Sequence, residues 1–540
     1  MIIESKTVTR GIIFILILIA AGTTAVKAIE VRGPVYEGAS LQEIIGINND
    51  DYIEMNAGNF AGFFYDVDKN ISSETLRIYG GDFLPDARII AEDGIVYTCK
   101  VASTGYKYEG DWKGQEYPVI GFFGEKYIPL RSAEKEIWEC NPEKIAKLIL
   151  DDDQKYTLMA GDTLDLGEGY ALNVKQFDVD REKVWIEFTK DGEYVDDQII
   201  SLTAETPDEL KTWAVELDSI EGEDDVIVMR VHIKQIFYDA VGGIIQIEGI
   251  WLIDYYNAFT IELGDEYKLL EVAEIQHGSG PSEPGHLTFR NKEPVFLPGD
   301  SRQKLAENLN FEVADDENLR FYLMKEFTEP GVYETRGSIA RANDPEFEWD
   351  CSNFAGFFYD LDENVSSESL KINASTLMGN DRTIDAGELT YFANITTVNY
   401  EYTDDDNWTE KYETIGLFEN EFVVLRSQDE MDWEARPDKL AKLVLDSGEK
   451  YTIRPGQTLD LGNGYNLKAK EVYLENDSVW LEFIKDREPV DDKIIEININ
   501  DTWEVELDDI EDKDNITVLR VHVNQVFQGA VDRIAQLEGI

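Results

Sequence analysis

The feature that most restricts how this chain can fold is that it contains most of itself twice. The stretch "NFAGFFYDVDKNISSETLRI" (59–78) returns as "NFAGFFYDLDENVSSESLKI" (353–372), with fifteen of twenty positions identical. Four of the five differences swap like for like, and Lys69 against Glu363 is the exception. Further pairs follow in the same order: "PEKIAKLIL" with "PDKLAKLVL", "LDLGEGY" with "LDLGNGY", "VWIEF" with "VWLEF", and "RVHIKQIF" with "RVHVNQVF". Their offset stays between 290 and 295 residues. Ordered matches at a near-constant offset mark a tandem duplication, with a period far too long for a solenoid. The expected division is a signal peptide at 1–28, copy 1 at 29–336 and copy 2 at 337–540. Copy 2 reaches "QLEGI" (536–540), the counterpart of "QIEGI" (246–250). Residues 251–336 therefore have no second version within the 540 residues, and copy 2 is expected to be incomplete at its C-terminal end.

The local pattern predicts an all-β chain. In "DVIVMRVHIKQIF" (225–237), Ile227, Met229, Val231 and Ile233 alternate with Val228, Arg230, His232 and Lys234, the period-2 mark of a strand with one buried face. "VWIEFTKDGEYV" reads as a strand entering an Asp-Gly hairpin turn. A short helix is expected after Pro142 and again after Pro437, with proline in the first turn and Ile145, Leu148 and Ile149 on one face. Many short strands broken by Gly, Asp and Asn turns suit β-sandwiches, and about 300 residues per copy suggests two sandwiches in each.

Composition then excludes classes of partner. Lys and Arg number 49 against 110 Asp and Glu, a net charge of −61. That argues against nucleic acid, whose recognition needs a basic surface, and against docking on anionic lipid heads. With 43% hydrophobic residues the acidity does not imply disorder. Lys6 and Arg10 precede the apolar run "GIIFILILIAAG" (11–22), and "VKA" (26–28) offers small residues for cleavage near Ala28; an uncleaved anchor is the alternative. Cys99, Cys140 and Cys351 allow one disulfide at most. Cys99 and Cys140 are the available pair, but their counterparts are Ala393 and Ala435, so a bridge there would not belong to the shared fold.

Chemistry-bearing motifs are sparse. Asp66, Asp68 and Asn70 match positions 1, 3 and 5 of a calcium loop, but Ile71 and Arg77 stand where glycine and a bidentate carboxylate are required. The aromatic half of the stretch reads as a buried strand and the Asp/Asn half as a surface turn. Carboxylate groups at 151–153, 196–197, 404–406 and 491–492 leave weak structural calcium open, with solvated loop charge as the alternative. His232 and His522 are counterparts and read as structural or surface histidines. Trp213 with Trp503, and Trp138 with Trp433, read as core anchors. No nucleophile elbow, zinc-protease helix, paired C-x-x-C or phosphate loop occurs, so no catalytic, cofactor-binding or metal residue is assigned. Glycan acceptor sequences fall at Asn70 in copy 1 and at Asn364, Asn373, Asn394, Asn407, Asn476, Asn500 and Asn515 in copy 2.

At "NFAGFFYDVDKNISSETL", "VLRSQDEMDWEARPDKLAKLVLD" and "YTLMAGDTLDLGEGYAL" the chain resembles archaeal S-layer proteins of the methanosarcinal type, built from tandem S-layer family duplication domains. The resemblance implies a non-enzymatic, N-glycosylated subunit that self-associates into a two-dimensional lattice on the cell surface. Small acidic pores would repel anions. It also implies a C-terminal membrane anchor, whose segment does not occur among these residues. A secreted adhesin that binds glycans or proteins is the alternative reading.

Overall fold

The computed structural model describes residues 29–38, 51–203, 205–238, 243–328, 333, 335–341, 346–373, 383–403, 411–427, 436–497, 499–528 and 533–540. The signal segment and Asn407 lie outside these. Strands dominate, and helical structure among the described residues is limited to short turns such as Ile137–Glu139.

Copy 1 buries two separate cores. In the first, Tyr52–Asn56, Glu74–Tyr79, Ile95–Lys100, His286–Asn291, Leu270–Gln276 and Glu266–Tyr267 form a six-stranded sheet in that order. Facing it, Ile29–Glu37, Arg320–Phe327, Leu309–Val313 and Ser301–Ala306 form a four-stranded sheet. Leu76, Tyr97 and Phe289 from one sheet share a buried cluster with Phe311, Phe321 and Leu323 from the other. The second core lies between a nine-stranded sheet, in which Val226–Tyr238 and Gly243–Ile253 are inner strands, and the sheet Thr163–Gly167, Tyr170–Asp178, Lys183–Lys190, Glu193–Ser201. The chain therefore leaves the first sandwich, builds the second, and returns. Residues 251–336 include the strands that close the first one.

Copy 2 repeats most of these pairings in register where both are described; one exception is His522, which pairs with Glu538 where His232 pairs with Gly249 and not Glu248. Thr458–Gly462, Tyr465–Tyr473, Ser478–Lys485 and Glu488–Glu496 pair as their counterparts do. The bulges match as well: Val174/Gln176 with Ala469/Glu471, and Phe188/Thr189 with Phe483/Ile484. The Asp-Gly hairpin forms as expected, with Asp191 at φ 52° and Gly192 at φ 80°. Copy 2 makes the same turn from Asp486 and Arg487, at φ 50° and 74°. One core difference stands out. Phe123 is buried beneath Tyr267 and Phe289, whereas its counterpart Phe418 is 69% exposed and stacks only on Tyr391 among the described rings.

Three local expectations change. The segment after Pro142 is not helical: Asn141–Asp152 is a strand paired with Glu125–Leu130 and Gly243–Ile253. Consecutive residues Ile145 and Ala146 are both fully buried, which a two-sided strand achieves and a one-sided helical stripe does not. Pro142 sits in a register shift, where a missing N–H costs no ladder bond. In copy 2, the corresponding strand is Leu440–Lys442. Secondly, Val226–Tyr238 buries both faces, since Val228 and His232 are as inaccessible as Val231 and Ile233. It is an inner strand, and register shifts at Ile233 rotate its side chains. Thirdly, Phe60 and Phe63 are buried as expected but occupy turns, and pairing begins only at Tyr65–Asp66 with Ile71–Ser72. Cys99 and Cys140 are both buried in the first core and are not bonded to each other.

Candidate functional site

The repeated stretch is first of all a polar scaffold. Asn59 accepts from the Asn56 N–H (2.8 Å) and donates to the Glu54 carbonyl (2.9 Å), clamping the turn to the preceding strand. Asn353 does the same with Asp350 (3.0 Å) and Glu348 (2.9 Å). A Cβ on Gly62 would lie 2.2 Å from the Phe60 ring, so only glycine lets that ring fold back; Gly356 has the same relation to Phe354 at 2.5 Å. Ser73 joins Lys100 to Gly121, and Ser367 accepts from Gly416.

Glu74 is 1% exposed and accepts from the Tyr97 hydroxyl (2.6 Å) and the Phe64 and Gly124 N–H groups (2.8 and 2.7 Å). Burial raises its carboxyl against the pull of those donors and of Lys325. Glu368 repeats the arrangement with Tyr391, Phe358 and Glu419. Buried acceptors this well supplied act as core struts, since an unsatisfied buried carboxylate would be costly.

The acidic loop caps itself. Asp66 accepts from the Lys69 N–H, and Asp360 from the N–H groups of Asp362 and Glu363. Asn70 and Asn364 both take φ 52°, each held by the hydroxyl of its own loop tyrosine, Tyr65 or Tyr359. Among the described residues no three His, Cys, Asp or Glu side chains converge as metal ligands. Asp151 accepts from Tyr117 and the Lys107 N–H, while Asp197 accepts from the Trp185 indole and the Tyr194 hydroxyl. Asp492 accepts from Trp480. These carboxylates serve aromatic donors. The triplet at 404–406 lies outside the described residues.

The two loops differ in what lies around them. Copy 1 reaches across to copy 2's loop: the Arg320 side chain donates to the Leu361 and Asp362 carbonyls (both 2.7 Å), and the Asp315 backbone N–H donates to the Asp362 carboxylate. Asn364 donates to Glu37 at 2.8 Å. No equivalent cross-copy bond is described onto Val67 or Asp68, and Val67 is 74% exposed. Arg320 and Glu37 were not foreseen because they lie outside the matched blocks.

His232 lies between Thr212 (3.0 Å from Nδ1) and Asp111 (3.0 Å from Nε2), the composition of an acid–base relay. Its ring is fully buried beneath Tyr108, and Thr212 also accepts from the Trp112 indole. No substrate atom can approach. Burial lowers the imidazole pKa, so the ring is a neutral core tie. His522 stacks on Tyr402 in the same way. Trp213 and Trp503 are core residues and Trp138 flanks the first core, while Trp433 lies outside the described residues.

Six acceptor asparagines are exposed: Asn70, Asn364, Asn394, Asn476, Asn500 and Asn515. Asn373 is half-buried at a strand end. Among the described residues no helix is long and apolar enough to cross a membrane.

The S-layer protein family profile matches residues 45–315 and 339–540. The chain is 49% identical to the major S-layer protein of Methanosarcina barkeri over 99% of its own length and 75% of that relative. It is 47% identical to the major S-layer protein of Methanosarcina acetivorans over 98% of its length and 76% of the relative. A third, from Methanosarcina mazei, is 46% identical over 99% and 76%. The chain thus belongs to the S-layer protein family, as a structural protein of the cell surface and not an enzyme.

Proposed function

We propose that this chain is a lattice-forming subunit whose copies, at 29–336 and 337–540, are the building blocks of a glycosylated, anion-repelling surface layer. The observation that carries the reading is near-full-length likeness to major S-layer proteins. The fold suits the task, because paired sandwiches with separate cores resist deformation and offer broad faces to neighbours. The charge of −61 also serves solubility at high ionic strength, and arrayed around openings it would focus a field that excludes anions and admits cations and small neutral solutes. Exposed acceptors at Asn70, Asn364, Asn394, Asn476, Asn500 and Asn515 support a hydrated glycan coat, concentrated on copy 2. Residues 1–28 would direct export.

The test is electron microscopy of the purified mature chain with and without calcium, alongside glycopeptide mass spectrometry. Ordered sheets with glycan on these asparagines support the proposal. Persistent monomers that bind a ligand saturably would favour the adhesin reading instead.

A further inference from the structure

The two copies meet through a pair of crossed arginines. Arg32 lies on Ile29–Glu37, the edge strand of copy 1's four-stranded sheet, yet its guanidinium enters copy 2. There it donates to the Cys351 carbonyl and to the carbonyls of Phe354 (3.3 Å) and Phe357 (3.0 Å), with its carbon 5.1 Å from the centre of the Tyr359 ring. Arg336 closes copy 1 at the boundary expected from sequence, but the match of Arg336-Gly337 with Arg32-Gly33 places it at the head of copy 2, and it makes the opposite crossing. It donates to the carbonyls of Phe60 (3.3 Å) and Phe63 (3.2 Å) and lies 5.1 Å from the centre of the Tyr65 ring. Phe60, Phe63 and Tyr65 hold the same places in the repeated stretch as Phe354, Phe357 and Tyr359.

Each arginine is followed by a glycine that touches its own copy's turn. A Cβ on Gly33 would lie 3.0 Å from the Phe60 ring, and one on Gly337 would lie 2.4 Å from the Trp349 ring and 3.3 Å from Phe354. The glycine presses against its own turn while the arginine before it reaches the other. That is the geometry of an exchange.

We infer that the tandem is a fused isologous pair: the aromatic turn of each copy is a receptor for the leading Arg-Gly of a second copy of the same domain. A guanidinium suits this receptor because its rigid fork serves several carbonyls at once and its face lies on an aromatic ring, which an ammonium does less well. In a closed two-fold contact the same patch serves both partners. Here one chain supplies both. The Ile339 N–H adds a bond to the Gly58 carbonyl (3.0 Å) across the same junction.

The exchange is not even. Both guanidinia are partly buried, but Arg336 Nη1 has no hydrogen-bond acceptor among the described residues, whereas Arg32 Nη1 bonds Cys351. Arg32 is therefore the stronger half. The motif escapes notice in sequence because 32–33 and 336–337 are 304 residues apart, outside the offset that joins the other repeats.

The test is to insert a protease site between Phe327 and Arg336 of the mature chain, cut it, and measure whether the halves stay together by size exclusion and light scattering. Nicked wild-type halves should co-elute at micromolar concentration. The Arg32→Ala, Arg336→Ala double variant should weaken association at least a hundredfold, with Arg32→Ala alone the more damaging single change. Arg32→Lys with Arg336→Lys should fall between, and carries the comparison if the alanine variants lose their β circular dichroism. Separation of the nicked wild-type halves, or double-variant halves that associate as tightly as wild type, would overturn the inference.

Discussion

Beneath the acidic loop the two copies use one frame for opposite charges. In copy 1, Tyr117 donates to Asp151, Lys126 donates to Tyr117, and Lys107 binds Asp151 through its N–H. In copy 2, Tyr412 donates to Asp446, and the Glu401 N–H approaches the same carboxylate at 3.3 Å. The side chains at the two lysine positions are now Glu401 and Glu421. Burial raises the carboxyls of Asp360, Glu401, Glu421 and Asp446; the last three each feel Asp360, which itself feels Asp362 and Glu363. The fold is thus specified by the tyrosine–aspartate pair and the aromatic turn. The charge around them is free to reverse, and this is one place where the surface has become more acidic without a change of architecture.

The largest break in the comparison should come from the struts beneath it. Glu74→Ala leaves three buried donors without an acceptor, at a cost of about 3 kcal/mol. Glu368→Ala should cost less, since the ring beside it is already open to solvent. Thermal unfolding of the two variants measures the difference, and equal losses would contradict it. Next, Arg320→Ala removes the side chain that holds copy 2's loop to copy 1 and should cost about 2 kcal/mol in urea unfolding. The equivalent loop in copy 1 should show no change in hydrogen exchange.

Acidification sharpens the contrast. A carboxyl raised in the folded state binds its proton more tightly there than in the unfolded chain, so stability falls as pH rises from the unfolded value near about 4 to the higher folded value. Copy 2, with four such groups, should therefore gain on going from pH 7 towards 5 more than copy 1, where burial raises Glu74 and, beside two lysines, Asp151. Exchange rates of Tyr412 and Tyr117 amides across that range test this. Glu421→Lys should remove part of the copy 2 response and stabilise it by about 0.5 kcal/mol after solvent screening. The smallest effect concerns modification. Asn364 donates to Glu37, and among the described residues Asn70 makes no such cross-copy bond, so glycan occupancy should be higher at Asn70 by peptide mass spectrometry.

Much of this was legible in the residues. The duplication, the strand-rich pattern and the Asp-Gly hairpin follow from order, period and spacing. The strand at Asn141–Asp152 was not, because Ile145, Leu148 and Ile149 suit one helical face as well as two strand faces, and only neighbouring strands decide. The struts at Glu74 and Glu368 look like two more acids in a chain rich in them. Their role depends on partners such as Tyr97 and Gly124, which come close only in the fold. The arginine crossing was hidden by its different offset.

The crossed arginines also bear on how the gene can change. A substitution in either aromatic turn alters the seat of an arginine encoded some 300 codons away, and a change in either arginine strands a turn in the opposite half. Neither half can wander alone. Mutual tethering of this kind would slow drift at the two turns while leaving the surrounding sheets free to diverge, and those turns lie within the stretch where fifteen of twenty residues still agree.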